Sequence, residues 1–200
     1  MENEDFTKAE LTESSKFMHE SALTLFKLIE NLLEWAQTQR GTISFTPQEL
    51  NLSDIAIQNI GIINQRALQK GISIINEVMV TEKVYADEKM IDTILRNLLS
   101  NAVKFTRRDG KVIVRAKKTE GEMVEVSVSD TGVGISEEDI KKLFKIEEKV
   151  SSEGTDGELS TGLGLLLCKE FVEKNGGKIW VESEETVGST FYFTLRSSKR

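Results

Sequence analysis

The stretch Ile94–Thr106, ILRNLLSNAVKFT, decides how the rest of the chain is read. Ile91, Ile94, Leu95, Leu98, Ala102 and Phe105 recur at three- and four-residue steps, the spacing of one apolar helical stripe. Asn97, Asn101 and Lys104 fall together on an adjacent face, because each residue turns a helix by roughly 100°. Asparagine is a poor helix former, so two of them one turn apart beside core residues call for a reason. Amide oxygens are hard donors suited to Mg²⁺, and a neighbouring ammonium can meet phosphate oxygens. The row therefore suits a metal–phosphate unit, with a solvated polar face as the alternative.

Working outward, Asp87 is placed to cap this helix. KVIVRAKK (Lys111–Lys118) and MVEVSVSD (Met123–Asp130) alternate apolar and polar residues, as half-buried antiparallel strands do. ISIINEV and KVYA read as shorter strands upstream. Ser53 is expected to cap a further helix that runs to about Gln69 and ends at Gly71. Before it, TISFTPQEL reads as a short strand or linker, with Pro47, the only proline, suited to an edge. On the other side, a short helix follows Ser136, and Lys145 to Thr161 reads as a mobile Gly/Ser/Glu-rich loop. A helix from Gly162 to Asn175 is closed by Gly176-Gly177, and KIWVESEE with STFYFTL makes a final hairpin. The sum is an α+β fold: a two-layer sandwich of a mixed, mainly antiparallel sheet with three helices on one face.

Two glycine-rich turns accompany these elements. DTGVGI, Asp130 to Ile135, follows a strand directly, and its paired glycines let backbone approach a flat ligand closely. A carboxylate at that strand end can accept a hydrogen bond from an exocyclic amine such as that of adenine. STGLGLLL, Ser160 to Leu167, opens a helix whose unpaired first amides and dipole form an anion site. A dinucleotide-fold fingerprint does not fit these glycines, because no parallel strand–helix–strand unit surrounds them.

The 200-residue chain carries a formal charge of −7, which argues against non-specific nucleic-acid binding. A single cysteine, Cys168, rules out an internal disulfide and fits a reducing compartment. There is no run of about 18 apolar residues and no signal peptide. A cytoplasmic location is expected, which leaves open whether a longer parent is membrane-anchored.

In order and spacing, the three motifs together resemble the catalytic and ATP-binding domain of bacterial sensor histidine kinases. NLLSNAVKFT is similar to that family's N box, DTGVGI to its first glycine box and TGLGL to its second, while KKLFKIEE resembles the aromatic box before the nucleotide lid. The resemblance covers roughly Leu50 to Leu195 and implies ATP and Mg²⁺ as ligands. It implies that Asn97 and Asn101 hold the metal and that Lys104 touches phosphate, which makes Asn97 and Lys104 the candidate catalytic residues. Asp130 would read the adenine amino group, with Gly132, Gly134 and Ile135 lining the base pocket. Thr161, Gly162, Leu163, Gly164 and Leu165 would meet the phosphates beneath the lid, and Thr190 would reach adenine through a water. Ser160 stands where many relatives have Gly, which bears on the geometry of the lid hinge.

The first forty residues form a different unit. Met18, Leu25 and Leu32 repeat every seven residues, interleaved with Ala22, Ile29 and Ala36, and a helix with this seam needs another helix to pack on. The helix should stop near Arg40-Gly41. Its LIENLLEWAQTQRG ending resembles the second helix of the family's dimerisation hairpin, whose first helix carries the phospho-accepting histidine. The expected organisation is a partial dimerisation helix over 1–41, a linker over 42–50 and a catalytic ATP-binding domain over 51–200. His19 is followed by Glu20 but lacks the Arg and Pro of the acceptor motif, so it reads as a surface or seam residue.

The implied reaction is transfer of the ATP γ-phosphate to a histidine outside this chain, for relay to an aspartate on a response regulator receiver domain. The upstream acceptor helix and a homodimeric parent are the other implied partners, and autophosphorylation by the chain alone is expected to be poor. Related ATPases of this fold usually place Glu where Asn97 stands, to activate water, and a serine kinase would not need the leading bundle-type helix. A regulatory or dimerisation module that binds nucleotide without kinase activity is the alternative.

Overall fold

A computed structural model describes residues 43–119, 121–145, 154–158 and 162–198, with scattered positions between 12 and 41. Five strands form one sheet in the order β2–β4–β5–β7–β6: β2 (Ser73–Asn76), β4 (Lys111–Thr119), β5 (Met123–Asp130), β6 (Ile179–Glu184) and β7 (Gly188–Arg196). Only the β2–β4 pair is parallel; the other three pairs are antiparallel. Helices α1 (Leu52–Gln69), α2 (Glu88–Phe105) and α4 (Leu163–Lys174) pack side by side over this sheet, and the single turn α3 (Glu137–Ile140) lies near β6. This is the mixed α+β sandwich expected from the strand alternation.

The core forms between the helical stripe and one face of the sheet. Ile91, Ile94, Leu95 and Leu98 of α2 meet Val112, Val114, Val126, Phe193 and Leu195, all buried. Burying each such side chain stabilises the fold by about 1.5–3 kcal/mol, so α2 is the helix that the fold least tolerates losing. Asp87 caps α2 by accepting from the Met90 amide at 3.2 Å. The same carboxylate accepts from the Thr46 amide at 2.9 Å, while the Asp87 amide donates to Asn175 Oδ1 at 2.9 Å. One buried acid thus joins the start of α2 to the end of α4 and to the segment around Thr46.

One local reading changes, and one strand finds its partner outside the main sheet. The cap of α1 is Asn51, whose side chain accepts from the Ser53 amide at 3.0 Å, and not Ser53 itself. Both residues are good caps two positions apart, and Leu52, which is buried, has to be the first helical residue. KVYA (β3, Lys83–Ala86) does not join the main sheet; it pairs with β1 (Gln48–Asn51) in a separate two-stranded sheet. The span read as a short strand or linker thus supplies β1.

The described positions between 12 and 37 are helical, and Met18, Leu25, Ile29 and Leu32 of the seven-residue pattern are exposed, as are the neighbouring Phe26 and Leu33. His19 is also exposed on this helix. No described helix is long and apolar enough to cross a membrane.

Candidate functional site

Asp130 is the last residue of β5, and its side chain turns back onto the loop it precedes. Its Oδ1 accepts from the Gly132 amide at 2.8 Å and from the Ser189 amide at 3.3 Å. Burial pushes its pKa up to about 6, with the two amide hydrogen bonds working against that rise. Such a carboxylate gains from any further donor presented to it, because the ionised form is short of solvent.

The first glycine turn is clamped between α2 and the β6–β7 hairpin. A Cβ at Gly132 would strike the Phe105 carbonyl, the last of α2, and the Val133 amide donates to that same carbonyl at 3.1 Å. Gly134 has φ of 73°, and a Cβ there would run into the Glu184 carbonyl. Both glycines are required by close backbone approach. The Ile135 amide donates to Ser183 Oγ at 2.8 Å. Thr190 lies opposite Ser129 across the β5–β7 pair and donates to its hydroxyl at 3.1 Å.

The second glycine turn meets α2 from the other side. Gly162 precedes α4 with φ of 71° and provides no side-chain cap, so the first amides of α4 have no side-chain acceptor from it. Such a helix start carries partial positive charge. A Cβ at Gly164 would lie 3.3 Å from Asn97 Oδ1. One turn further along α4, the buried Cys168 thiol contacts the Asn97 side chain and the Ile94 carbonyl. Burial pushes the Cys168 pKa up to about 12, with Asn97 opposing the shift, so the thiol is inert. Leu163, Leu165 and Asn101 are half-buried. Thr161 lies outside the described residues.

Lys104 departs most from the sequence-level picture of a polar row beside the stripe. It is only 6% exposed, and its Nζ is among the buried polar atoms without a hydrogen-bond partner in the described structure. The ammonium sits 4.8 Å from the centre of the Phe105 ring. Burial pulls its pKa below the usual lysine range; the Glu158 carboxylate opposes this and the Arg66 guanidinium adds to it. A desolvated cation without an acceptor is costly unless a ligand supplies one.

One helix therefore brings the sequence-predicted groups together, its end against DTGVGI and its Asn97 against TGLGL. Among the described residues no group of three or more His, Cys, Asp or Glu could hold a metal. A hard cation here would thus have to rely on amide oxygens and on whatever it arrives with. Sequence reasoning missed the serine cluster around Asp130: Ser183 Oγ donates to the Gly188 carbonyl at 2.9 Å and lies 3.0 Å from Ser189 Oγ. Serines at alternate positions of otherwise apolar strands were the available signal. Lys70, Thr155 and Glu158 were missed too, and nothing local marks them.

Residues 86–199 match the family described as histidine kinase-, DNA gyrase B- and HSP90-like ATPases. Among curated proteins, the chain is 34% identical over 184 residues to the non-motile and phage-resistance protein of Caulobacter vibrioides, covering 90% of this chain and 22% of that protein. It is 38% identical over 170 residues to the adaptive-response sensory kinase SasA of Prochlorococcus marinus, covering 84% and 44%. With the circadian input-output histidine kinase CikA of Synechococcus elongatus it shares 36% over 179 residues, covering 88% and 24%. The chain thus spans less than half the length of these relatives. Full-length ShkA in complex with AMPPNP superposes with a TM-score of 0.80 at 27% identity, over 98% of this chain and 40% of that one. The nucleotide-free catalytic domain of the histidine kinase ThkA gives 0.66 at 28% identity, over 79% and 100%.

Proposed function

Because the chain belongs to the histidine kinase-, DNA gyrase B- and HSP90-like ATPase family, as the ATP-binding catalytic domain of a sensor histidine kinase, we propose a residue-level account of how it holds ATP and presents the γ-phosphate. The purine lies at the Asp130 end, where the carboxylate accepts from the adenine amino group and Gly132, Gly134 and Ile135 form the wall. Thr190 contributes through a water. The triphosphate lies along α2 toward the start of α4, where the amides of Gly162 to Leu165 face it.

Lys104 carries this assignment. A buried ammonium without a hydrogen-bond acceptor among the described residues is matched by phosphate oxygens. Asn97 and Asn101 would hold Mg²⁺ through their amide oxygens; Gly164 leaves the Asn97 oxygen open to that side, since no Cβ stands in front of it. When bound, the metal neutralises charge on the phosphates. The chain's own part is to fix the nucleotide and to stabilise developing charge with Lys104 and backbone amides, which is most of what phosphoryl transfer requires.

The acceptor is a histidine other than His19, on a helix of the parent's dimerisation hairpin, and the next acceptor is an aspartate of a response regulator. A homodimeric parent fits the exposed seven-residue stripe, whose seam needs a helical partner. Mixing the chain with Mg-ATP and a histidine-bearing dimerisation hairpin in trans should place acid-labile phosphate on the hairpin. No heat of association with Mg-ATP in calorimetry on folded protein would refute the site. Labelling of His19 would refute the choice of acceptor.

A further inference from the structure

The turn Gly154–Glu158 lies between the two glycine motifs in sequence and takes no part in the assignments above, yet it is tied down heavily. The Thr155 amide donates to the Lys104 carbonyl at 3.1 Å, and its hydroxyl bonds to the Lys104 and Thr106 carbonyls at 3.1 and 2.9 Å. Lys70, just past the end of α1, is 4% exposed. Its Nζ donates to the Val103 and Lys104 carbonyls, each at 3.1 Å, and to Thr155 Oγ1 at 2.6 Å. Glu158 Oε1 closes the group, 3.4 Å from Lys70 Nζ and 3.2 Å from Arg66 Nη2. The other carboxylate oxygen accepts from the Asp156 amide at 3.0 Å. A cation and a hydroxyl thus saturate the carbonyls at the negative end of α2 and bind the turn there.

The turn in turn covers Lys104. A Cβ at Gly154 would stand 2.6 Å from Lys104 Cγ, so Gly154 packs directly on the lysine stem. The Glu158 carboxylate is the charge that opposes deprotonation of the buried ammonium. We propose that Lys70, Thr155 and Glu158 are positioning residues for the phosphate site: they latch the Gly154–Glu158 turn onto the C-terminal end of α2, and the latched turn holds the Lys104 ammonium where a triphosphate meets it. This rests on the assignment of Lys104 to phosphate. It differs from a purely structural cap, which would support the whole domain and therefore both ends of the nucleotide equally.

The test uses the full chain, titrated by NMR with Mg-ATP and, separately, with adenosine. Thr155→Val keeps the shape and removes the hydroxyl; it should weaken Mg-ATP about tenfold, the worth of a hydrogen bond in a charged network, while adenosine affinity holds. Thr155→Ser should restore Mg-ATP binding. Lys70→Met should act like Thr155→Val, and if it does not fold, the threonine pair still decides. The double variant Thr155→Val with Lys104→Met should bind Mg-ATP no more weakly than Lys104→Met alone, because the latch acts through that lysine. Additive losses, equal loss of ATP and adenosine, or an unaffected Thr155→Val would overturn the latch. If Lys104→Met alone leaves Mg-ATP binding intact, the phosphate assignment fails first and the latch falls with it.

Discussion

The two halves of the proposed nucleotide site are built in opposite ways. Around the Phe105 and Glu184 carbonyls, the proposed base end is made of backbone and sheet: Gly132 and Gly134 fit against main-chain oxygens, and Asp130 is held by two amides. The proposed phosphate end is made of side chains: an asparagine against a thiol, an ammonium without an acceptor among the described residues, and a turn held by Lys70 and Glu158. Main-chain geometry cannot adjust without unfolding, whereas side-chain contacts can be exchanged for those of a ligand. The base end is thus pre-formed by folding, and the phosphate end keeps unmet bonding capacity that a ligand can complete.

That contrast can be broken most forcefully at Gly134. Gly134→Ala adds a Cβ at positive φ against the Glu184 carbonyl and should destabilise the domain by about 2–4 kcal/mol in urea denaturation. A fully stable Gly134→Ala protein would mean that the base end is adaptable after all. Next in size, Asp130→Asn keeps an oxygen for the two amides but loses the ionised acceptor, so ATP affinity should fall about 100-fold in calorimetry. Folding should not suffer. The Asp130 pKa is raised on folding, so its stabilising contribution is present below the unfolded value of 3.8 and lost as pH rises through about 6. At neutral pH the ionised carboxylate is a burden, and the melting midpoint of Asp130→Asn should stay level or rise.

Lys104→Met should separate function from stability at the other end. Mg-ATP affinity should drop about 30-fold, and the melting midpoint should rise by about 2–4 °C, because a buried charge without a hydrogen-bond partner among the described residues gives way to a thioether. A fall in the midpoint would show that the ammonium already has an internal partner. Acidity gives the next effect: protonation of Asp130 removes the acceptor for adenine, so ATP affinity should decline about tenfold from pH 7 to pH 5. Asp130→Asn should abolish this dependence. The smallest effect belongs to Gly164→Ala, whose Cβ only grazes Asn97; it should leave stability unchanged and weaken ATP about threefold.

Much of this was legible in the chain because it is periodic or local. The stripe of α2, its cap Asp87, the alternating strands and the two glycine turns each follow from steps of two, three or four residues. Partner choice is not local. KVYA alternates like any strand, yet whether it joins the five-stranded sheet or pairs with β1 depends on residues about 35 positions away. Asn51 and Ser53 are equivalent caps until the burial of Leu52 decides between them. Helical spacing placed Lys104 next to the asparagines, but it could not show that Lys70 and Thr155 bring a turn onto its stem. Interactions between sites 34 and 51 residues apart leave no trace in any window.

The strand order leaves β2 and β6 as the two edges of the large sheet. An open edge invites another molecule to extend it, the route by which sheet proteins aggregate. Here β2 is only four residues long, and β6 carries Glu182 and Glu184 with Glu185 directly after it. Two copies meeting along β6 would have to set their carboxylates against one another. An acidic run that looks like surface filler thereby disfavours edge-to-edge pairing of two copies along β6.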